Sequence, residues 1–248
     1  MELRRLRADL HIHTCLSPCG ELAMSPRAVV EAARAAGLDL IAVTDHNTTE
    51  NAAAVARAAA GAGPAVLPGI ELTTAEEAHI LGLFEAGADL APFQAEVFLR
   101  LPQAPSKRKF IKDQVLADAE DRVVGFSPRC LFGATELAAR EAVDLIRAFG
   151  GLAVASHIDR EAFSLVSQLG FIPPGLGIEA VEVSPRADAA AAREAFGVAA
   201  DLAIVRFSDA HRPEEIGAAA TDFLMAAPTL AELRLALAGR AGRKVLPP

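Results

Sequence analysis

The chain of 248 residues contains no tryptophan, no tyrosine and only three cysteines, which are widely spaced. An odd number of scattered cysteines makes no disulfide framework, so we expect a reducing compartment. The residues that most often form base-stacking platforms are missing, although twelve phenylalanines remain. No apolar run approaches the roughly 20 residues of a membrane span, and no signal-peptide pattern opens the chain. These absences predict a cytoplasmic protein without a membrane partner.

Excess positive charge is also lacking, because the chain has 24 basic and 32 acidic residues and a net charge of −8. Broad binding of nucleic acid depends on a positive surface. We therefore expect no extended nucleic acid as partner. A phosphate group could still bind locally, through metal ions and a few arginines. The oligomeric state is left open.

Short apolar runs alternate with alanine-rich helical patterns along the chain. The predicted strands are Arg7–His11, Leu38–Thr44, Ala65–Ile70, Ile80–Phe84, Leu152–Ala155, Ile178–Val183 and Ala203–Phe207. The predicted helices are Ser25–Ala36, Thr49–Ala60, Asp89–Arg100, Thr135–Phe149, Ala187–Phe196 and Thr229–Leu237. This alternation is typical of parallel strands joined by crossover helices. Seven strands favour a single distorted (β/α)7 TIM-like barrel domain spanning 1–248, although the order alone leaves an open sheet possible.

Residues 101–134 interrupt the alternation and are predicted to form an insertion over one face of the barrel. The segment begins with a proline-containing stretch and continues into the basic cluster Lys107-Arg108-Lys109. The run from Val115 to Phe126 then predicts two short strands, with a hairpin turn at Asp118–Asp121. The basic cluster is interpreted as a solvated face of this insertion.

All six histidines lie in or beside predicted strand ends, and none lies within a predicted helix. His11 and His13 are two residues apart in a strand, so both imidazoles point to the same side. Asp45 and His46 follow a buried strand, and Glu71 ends the next one. The carboxyl ends of barrel strands are where functional sites are built. A single histidine usually lies on the surface or makes hydrogen bonds in the core. If these histidines bound no metal, each of the six would need such a role.

The second half of the chain repeats this pattern. His157 follows the strand Leu152–Ala155, and Asp209 and His211 follow the strand Ala203–Phe207 with the same two-residue spacing. His79 precedes its strand, which would place it at the other end of the barrel or at an irregular edge. Imidazole and carboxylate ligands in this number exceed the needs of one ion, so two or three divalent ions (Mn, Fe or Zn) are expected. Carboxylates and imidazoles together are typical of hydrolytic sites that contain two metals.

Three further side chains extend the predicted site. Cys19 lies close after the first histidines, and as a ligand its thiolate would favour zinc or iron over magnesium. Arg160 and Arg212 follow two of the histidines and are the candidates for gripping a phosphate, ahead of Arg186. A surface salt bridge is the alternative for each arginine, and Cys15 and Cys130 are expected to be buried.

The motifs in this order resemble the PHP (polymerase and histidinol phosphatase) family. The matching motifs are Asp9-Leu10-His11-Ile12-His13-Thr14, Thr44-Asp45-His46, Pro68-Gly69-Ile70-Glu71, His157 and Ser208-Asp209-Ala210-His211. The resemblance implies a distorted seven-stranded barrel with a di- or trinuclear site. One ion would use His11, His13, Glu71 and Asp209; a second would share Glu71 and use His79 and His157; a third would use His46 and His211. Many members have a histidine or an aspartate where this chain has Cys19, which makes Cys19 a candidate ligand of the third ion.

The resemblance implies hydrolysis of small phosphomonoesters, such as histidinol phosphate or a nucleotide, by a metal-bound hydroxide, so a small phosphorylated substrate is the expected partner. Asp45, Arg160 and Arg212 are the predicted catalytic residues. One alternative is a phosphodiesterase or 3′–5′ exonuclease that acts on short oligonucleotides. Others are a metal-binding module without catalysis and an amidohydrolase-type enzyme, because similar barrels hydrolyse amides.

Overall fold

The computed structural model describes residues 2–102 and 114–247. In these ranges the strands are β1 Arg4–Ile12, β2 Leu40–Val43, β3 Ala65–Thr73, β4 His79–Leu83, β5 Val115–Ala117, β6 Val123–Phe126, β7 Leu152–Ala155, β8 Ala180–Glu182, β9 Ala203–Val205, β10 Thr221–Met225 and β11 Lys244–Val245. The helices are α1 Pro26–Ala35, α2 Ala52–Ala59, α3 Ala91–Leu99, α4 Ala139–Ala148, α5 Leu165–Leu169, α6 Ala189–Ala195 and α7 Leu230–Leu237. The strands and helices predicted from the sequence all occur, with shifted ends, whereas α5, β10 and β11 were not predicted.

Nine strands form one barrel-shaped sheet in the order β11-β10-β1-β2-β3-β4-β7-β8-β9. The pairs β1–β2, β2–β3, β7–β8 and β8–β9 are parallel. The segment that follows β9 returns to β1, where Ile12 pairs with Ala210 in a parallel bridge. This bridge brings the last parallel strand to the first and nearly closes the barrel. The predicted α/β fold with a distorted TIM-like barrel is confirmed, with nine strands in the sheet instead of seven.

Strand β4 runs antiparallel to both of its neighbours, β3 and β7. The expectation that the predicted strands are parallel is therefore wrong at β4. The two unpredicted strands β10 and β11 are antiparallel to their neighbours as well. The reason at β4 is the connection of five residues from β3, in which the N–H of Thr74 donates to the carbonyl of Ala78. A parallel crossover needs a dozen residues or more, so such a short link makes a hairpin. The first residue of β4, His79, consequently lies at the carboxyl ends of the parallel strands.

Apolar residues fill both the inside and the outside of the barrel. Leu10, Leu40, Leu81 and Val154 belong to the inner cluster, against which helix α7 packs. One outer cluster lies between helices α1 and α2 and strands β1 and β2. The other lies between the four helices α3, α4, α5 and α6 and the part of the sheet from β3 to β8. Burial of this apolar surface is the main favourable contribution to folding. Among the described residues, no helix is long and apolar enough to cross a membrane.

Strands β5 and β6 form a separate antiparallel hairpin within the predicted insertion. The predicted turn is present, because the N–H of Asp121 donates to the carbonyl of Asp118. Val115 and Ala117 pack on Cys15, and the side chain of Asn51 bonds to the backbone of both hairpin residues. The hairpin thus lies against the loop that follows β1. The basic cluster at 107–109 lies outside the described residues.

Candidate metal centre

The carboxylate of Glu71 is surrounded by imidazoles. Five histidines place a ring nitrogen between 2.9 and 3.3 Å from one of its oxygens, and Glu71 itself is only 1% exposed. The five are His11, His13, His46, His79 and His157. A carboxylate has about four lone-pair positions. Five imidazoles exceed these positions, so hydrogen bonds to Glu71 cannot satisfy all of the ring nitrogens around it.

Strand ends bring these side chains together. Glu71 lies in β3, which pairs through a bridge with His46 after β2, and His157 follows β7. His79 reaches the cluster because β4 is reversed. In β1 the register shifts between Asp9 and Ile12. His11 and His13, two residues apart at this point, both face Glu71.

Potential metal ligands fall into three groups whose donor atoms lie within 4.8 Å of one another. The groups are His11, His13, Glu71 and Asp209; His46, Glu71 and His79; and His13, Cys19, His46 and His211. The first group has the same members as the first predicted ligand set. In the second group His46 stands where His157 was predicted, although the Nε2 atom of His157 is 3.3 Å from Glu71. The third group contains His46 and His211 together with the candidate ligand Cys19, and it also includes His13, which was not predicted for this position.

Four buried ring nitrogens of these histidines make no hydrogen bond of normal geometry within the described residues, although three of them lie 2.9 to 3.2 Å from an oxygen of Glu71. They are Nε2 of His11, Nδ1 of His46, Nδ1 of His79 and Nδ1 of His157. Leaving a buried polar atom without a partner is costly, so native proteins usually satisfy it. Imidazole nitrogens beside carboxylates suit divalent zinc, iron and manganese. The residues present therefore fit metal ions.

Charge in the cluster also suits metal binding. Burial would raise the pKa of Glu71, but His79, His11 and His46 outweigh this effect and hold the pKa well below its ordinary value. Burial lowers the pKa of His46 well below its ordinary value, and burial followed by His13 lowers that of His211 to about 4. Burial opposes the shift, but Glu182, Asp209 and Glu71 raise the pKa of His11 well above its ordinary value, and Asp209 and Glu71 raise that of His13 to about 9. The cluster thus carries ionised carboxylates that attract cations, and a divalent ion that binds there would displace the protons of His11 and His13.

Two residues that sequence reasoning missed orient the histidines. Both oxygens of Glu182 accept from Nδ1 of His11, at 2.9 and 3.1 Å, and Glu182 is buried. The hydroxyl of Ser17 lies 2.8 Å from Nδ1 of His13. Such partners fix the ring and its tautomer in metal sites. The signal for Glu182 was present, because it ends a buried strand as Glu71 nearly does.

Asp45 was predicted to be catalytic, but its carboxylate is engaged elsewhere. It accepts hydrogen bonds from the backbone N–H of Thr14, the hydroxyl of Thr14 and the hydroxyl of Ser17, at 2.6 to 2.7 Å. It belongs to none of the three groups of potential ligands formed by the described residues. Asp45 therefore stabilises the loop after β1 through hydrogen bonds to Thr14 and Ser17.

Asp209 joins the metal cluster to the predicted phosphate-binding arginine. Its Oδ1 atom lies 3.1 to 3.2 Å from His11 and His13, and its Oδ2 atom accepts from Arg160 at 2.6 Å. The backbone of Asp209 is left-handed, with a φ of 51°. Arg212 lies farther out, where it pairs with Glu21 at 2.8 Å and is more than half exposed. Arg160 thus touches the cluster, whereas Arg212 lies at its rim.

Cys19 is the exposed member of the three free cysteines, and its sulfur lies 3.0 Å from Nε2 of His211. Burial of the sulfur, together with Glu71 and Asp209, raises the pKa of this thiol to about 12. A bound metal ion deprotonates a coordinating thiol outright. Cys15 and Cys130 are buried, as expected.

Two adjoining cavities open over the cluster. One has a volume of about 370 Å³ and contains Glu71 and His79, and the other has about 490 Å³ and contains Ser208 and Arg212. Cys19, Arg160, Asp209 and His211 line both of them. A substrate phosphate at these shared residues would have space on two sides.

Solved structures with the same fold include endonuclease Q. The lesion-specific endonuclease Q of Pyrococcus furiosus aligns with 98% of this chain and 58% of its own, at 19% identity and a TM-score of 0.69. Endonuclease Q bound to a 27-mer duplex with an abasic lesion at the active site gives 18% identity and a TM-score of 0.68, with the same coverage. The chain thus spans less than two thirds of the length of these proteins.

This comparison contradicts the expected partners, which were a small phosphorylated substrate and no extended nucleic acid. One similar structure holds a 27-mer duplex at its active site. The reasoning from net charge failed because a total of −8 sums the whole chain. Some of those acids, Glu71 and Asp209 among them, lie buried in a site suited to cations, which reverse the local charge when bound.

Other comparisons point to the same family. A putative metal-dependent phosphoesterase from Bifidobacterium adolescentis aligns with 84% of this chain and 88% of its own, at 21% identity and a TM-score of 0.55. The uncharacterized protein MJ1587 of Methanocaldococcus jannaschii is 33% identical over 87 residues, which is 32% of this chain and half of that protein. The PHP domain model matches residues 9–159. The chain therefore belongs to the PHP domain family of metal-dependent hydrolases, as the resemblance of its motifs predicts.

Proposed function

We propose that this chain is a metal-dependent phosphodiesterase that cleaves nucleic-acid strands. The observation that carries the proposal is the crowding of five imidazole nitrogens within 3.3 Å of the Glu71 carboxylate. Hydrolysis of a phosphate ester needs a strong nucleophile and neutralisation of the phosphoryl oxygens. A cluster of divalent ions is a common means to both ends.

The chain's own residues have distinct tasks in this proposal. His11, His13, Glu71 and Asp209 would hold one divalent ion, and Glu71, His79 and His157 would hold a second. His46, His211 and Cys19 would hold a third. Bound there, such ions would supply a water of lowered pKa and would withdraw charge from the phosphate. Arg160, fixed by Asp209 beside both cavities, presents its planar guanidinium to the non-bridging oxygens.

The two adjoining cavities favour a diester over a monoester. A monoester carries one organic group and fills one side of the phosphate, whereas a diester carries two. Cys19, Arg160, Asp209 and His211 separate cavities of about 370 and 490 Å³. Each volume falls in the range of small-molecule sites, which begins at about 300 Å³. The likeness to endonuclease Q, which acts on duplex DNA, supports nucleic acid as the diester.

To test this proposal, the protein is first treated with a chelator, and Mn²⁺, Zn²⁺ or Fe²⁺ is then added in separate reactions. Each preparation is incubated with labelled oligonucleotides. The substrates are an intact duplex, the same duplex with an abasic site, the single strands, and p-nitrophenyl phosphate as a monoester. We expect strand cleavage that depends on metal. The variant Glu71→Gln should lose cleavage, while Glu85→Gln, an exposed glutamate remote from the cluster, should keep it.

Other outcomes have definite meanings. Hydrolysis of the monoester without strand cleavage would reject the phosphodiesterase. It would instead support the hydrolysis of phosphomonoesters that was expected from the sequence. A protein that binds two or more ions by elemental analysis but hydrolyses neither substrate class would reject both. Full activity of Glu71→Gln would reject the metal cluster as the catalytic site.

A further inference from the structure

Phe163 occupies an unusual position for an apolar side chain. It lies in the loop between β7 and α5, and 45% of its surface is exposed. It lines the cavity of about 370 Å³ that also contains Glu71 and His79. Single exposed apolar side chains are common on proteins, but this one borders the cavity over the candidate metal centre, where a bound ligand would contact it.

The backbone of the loop holds Phe163 in a strained conformation. Its φ is 59°, in the left-handed region that residues with a large side chain rarely adopt. Its carbonyl accepts the N–H of His79 at 2.9 Å, and the hydroxyl of the next residue, Ser164, donates to the carbonyl of Arg160 at 2.9 Å. These two hydrogen bonds hold the strained backbone in place. Strained residues that the surrounding structure holds in this way are concentrated at functional sites.

The ring of Phe163 has one covered face and one open face. Its inner face lies nearly parallel to the imidazole of His79, with 4.9 Å between the ring centroids and 13° between the planes. Since 45% of the residue is exposed and it lines the cavity, we take the side of the ring turned away from His79 as the accessible one. Arg160, three residues earlier in the same loop, reaches Asp209. One loop therefore presents a cation and a flat apolar ring to the same space.

We propose that the open face of Phe163 stacks against a nucleobase of the strand whose phosphate binds at the metal cluster. This inference rests on the proposed function. A base has an apolar face of matching shape, and stacking on an aromatic ring tolerates any base because each has such a face. Arg160 would hold the phosphate while Phe163 holds the adjacent base, so that one loop sets the register of the strand. The twelve phenylalanines thus supply a stacking residue in a chain without tryptophan or tyrosine.

A binding experiment tests the stacking directly. Because the chain has no tryptophan, Phe163→Trp introduces a single fluorophore at the proposed contact. We expect adenosine monophosphate to quench its fluorescence in the metal-loaded protein, and ribose 5-phosphate, which lacks the base, to leave it unchanged. Phe171→Trp is the matched control, because Phe171 is also exposed but lies outside the lining of both cavities.

A kinetic experiment separates stacking from support of His79. Thymidine 5′-(p-nitrophenyl phosphate) and methyl p-nitrophenyl phosphate share a leaving group and differ in the nucleoside. Phe163→Ala should lower the ratio of their kcat/KM values by about tenfold, since a stacked base commonly contributes that much or more to binding. Phe163→Tyr should restore the ratio, and Phe171→Ala should not change it.

Each result bears on the inference separately from the proposed function. An unchanged ratio in Phe163→Ala, or equal quenching by ribose 5-phosphate, overturns the stacking. Quenching by the nucleotide in a protein that cleaves no diester supports the stacking and rejects the phosphodiesterase. Cleavage of the diesters without any preference for the nucleoside overturns the stacking and keeps the phosphodiesterase.

Discussion

Glu182 accepts a hydrogen bond from Nδ1 of His11 at 2.9 Å and thereby directs the opposite nitrogen, Nε2, into the metal cluster. That Nε2 atom lies 3.2 Å from both Glu71 and Asp209. The carboxylate also accepts the backbone N–H of His157 at 3.3 Å, so it supports two members of the cluster. Carboxylate–histidine pairs of this kind raise the basicity of a ligand and fix its orientation.

Replacing Glu182 with glutamine should therefore weaken metal binding without removing a ligand. We expect the affinity for the ion held by His11 to fall by roughly 10-fold to 100-fold, as is common for partners of metal-binding histidines. Competition with a chromophoric chelator measures this affinity. Glu179→Gln is the matched control, since Glu179 precedes the same strand β8 at its other end and pairs there with Arg234. Equal affinities in the wild type and Glu182→Gln would contradict the orienting role.

Cys19 should give a spectroscopic signature when the third group of ligands binds metal. Cobalt(II) substitutes for zinc, and a thiolate ligand gives it an intense charge-transfer absorption in the near ultraviolet that imidazoles do not. We expect this band in the wild type and in Cys130→Ser, and its loss in Cys19→Asp. A cobalt-loaded wild type without the band would show that Cys19 is not a ligand.

Arg160 should matter more to the reaction than Arg212. Arg160 touches Asp209 at 2.6 Å, whereas Arg212 pairs with Glu21 outside the cluster. Removing a charged donor aimed at a phosphoryl oxygen should cost about 100-fold in kcat/KM, so Arg160→Ala should lose that much. We expect Arg212→Ala to lose less than tenfold and Arg57→Ala, on the exposed side of α2, to lose nothing. Steady-state rates on the cleaved oligonucleotide check this order, and a larger loss in Arg212→Ala would reverse the assignment.

Most of the site could be predicted because its residues follow short apolar runs. Glu71, His157 and Asp209 each come at or after the end of a buried strand, and parallel strands in a barrel bring such ends to one rim. His79 was harder to place because it begins its strand. The five-residue link between β3 and β4 was the available signal, since it is too short for a crossover helix.

The remaining features depend on packing that the sequence does not display. The left-handed backbone of Asp209 and Phe163, with φ values of 51° and 59°, is imposed by neighbouring segments and not by residue type. The direction of the Asp45 carboxylate was likewise hidden. Adjacent residues at a strand end face different sides, so His46 joins the cluster while Asp45 turns to Thr14.

Asp45 should contribute to the stability of the fold through its three buried hydrogen bonds. Asp45→Ala removes the acceptor of three hydrogen bonds and leaves the N–H of Thr14 buried without this partner. We expect the free energy of unfolding of the metal-free protein to fall by about 3 kcal/mol, which is typical of breaking buried hydrogen bonds to a charged group. Urea unfolding followed by circular dichroism measures it, because the chain has no tryptophan. Asp144→Ala, on the exposed face of α4, should change it by less than about 0.5 kcal/mol. An Asp45→Ala protein of unchanged stability that has lost its activity would instead support the catalytic role that the sequence suggested.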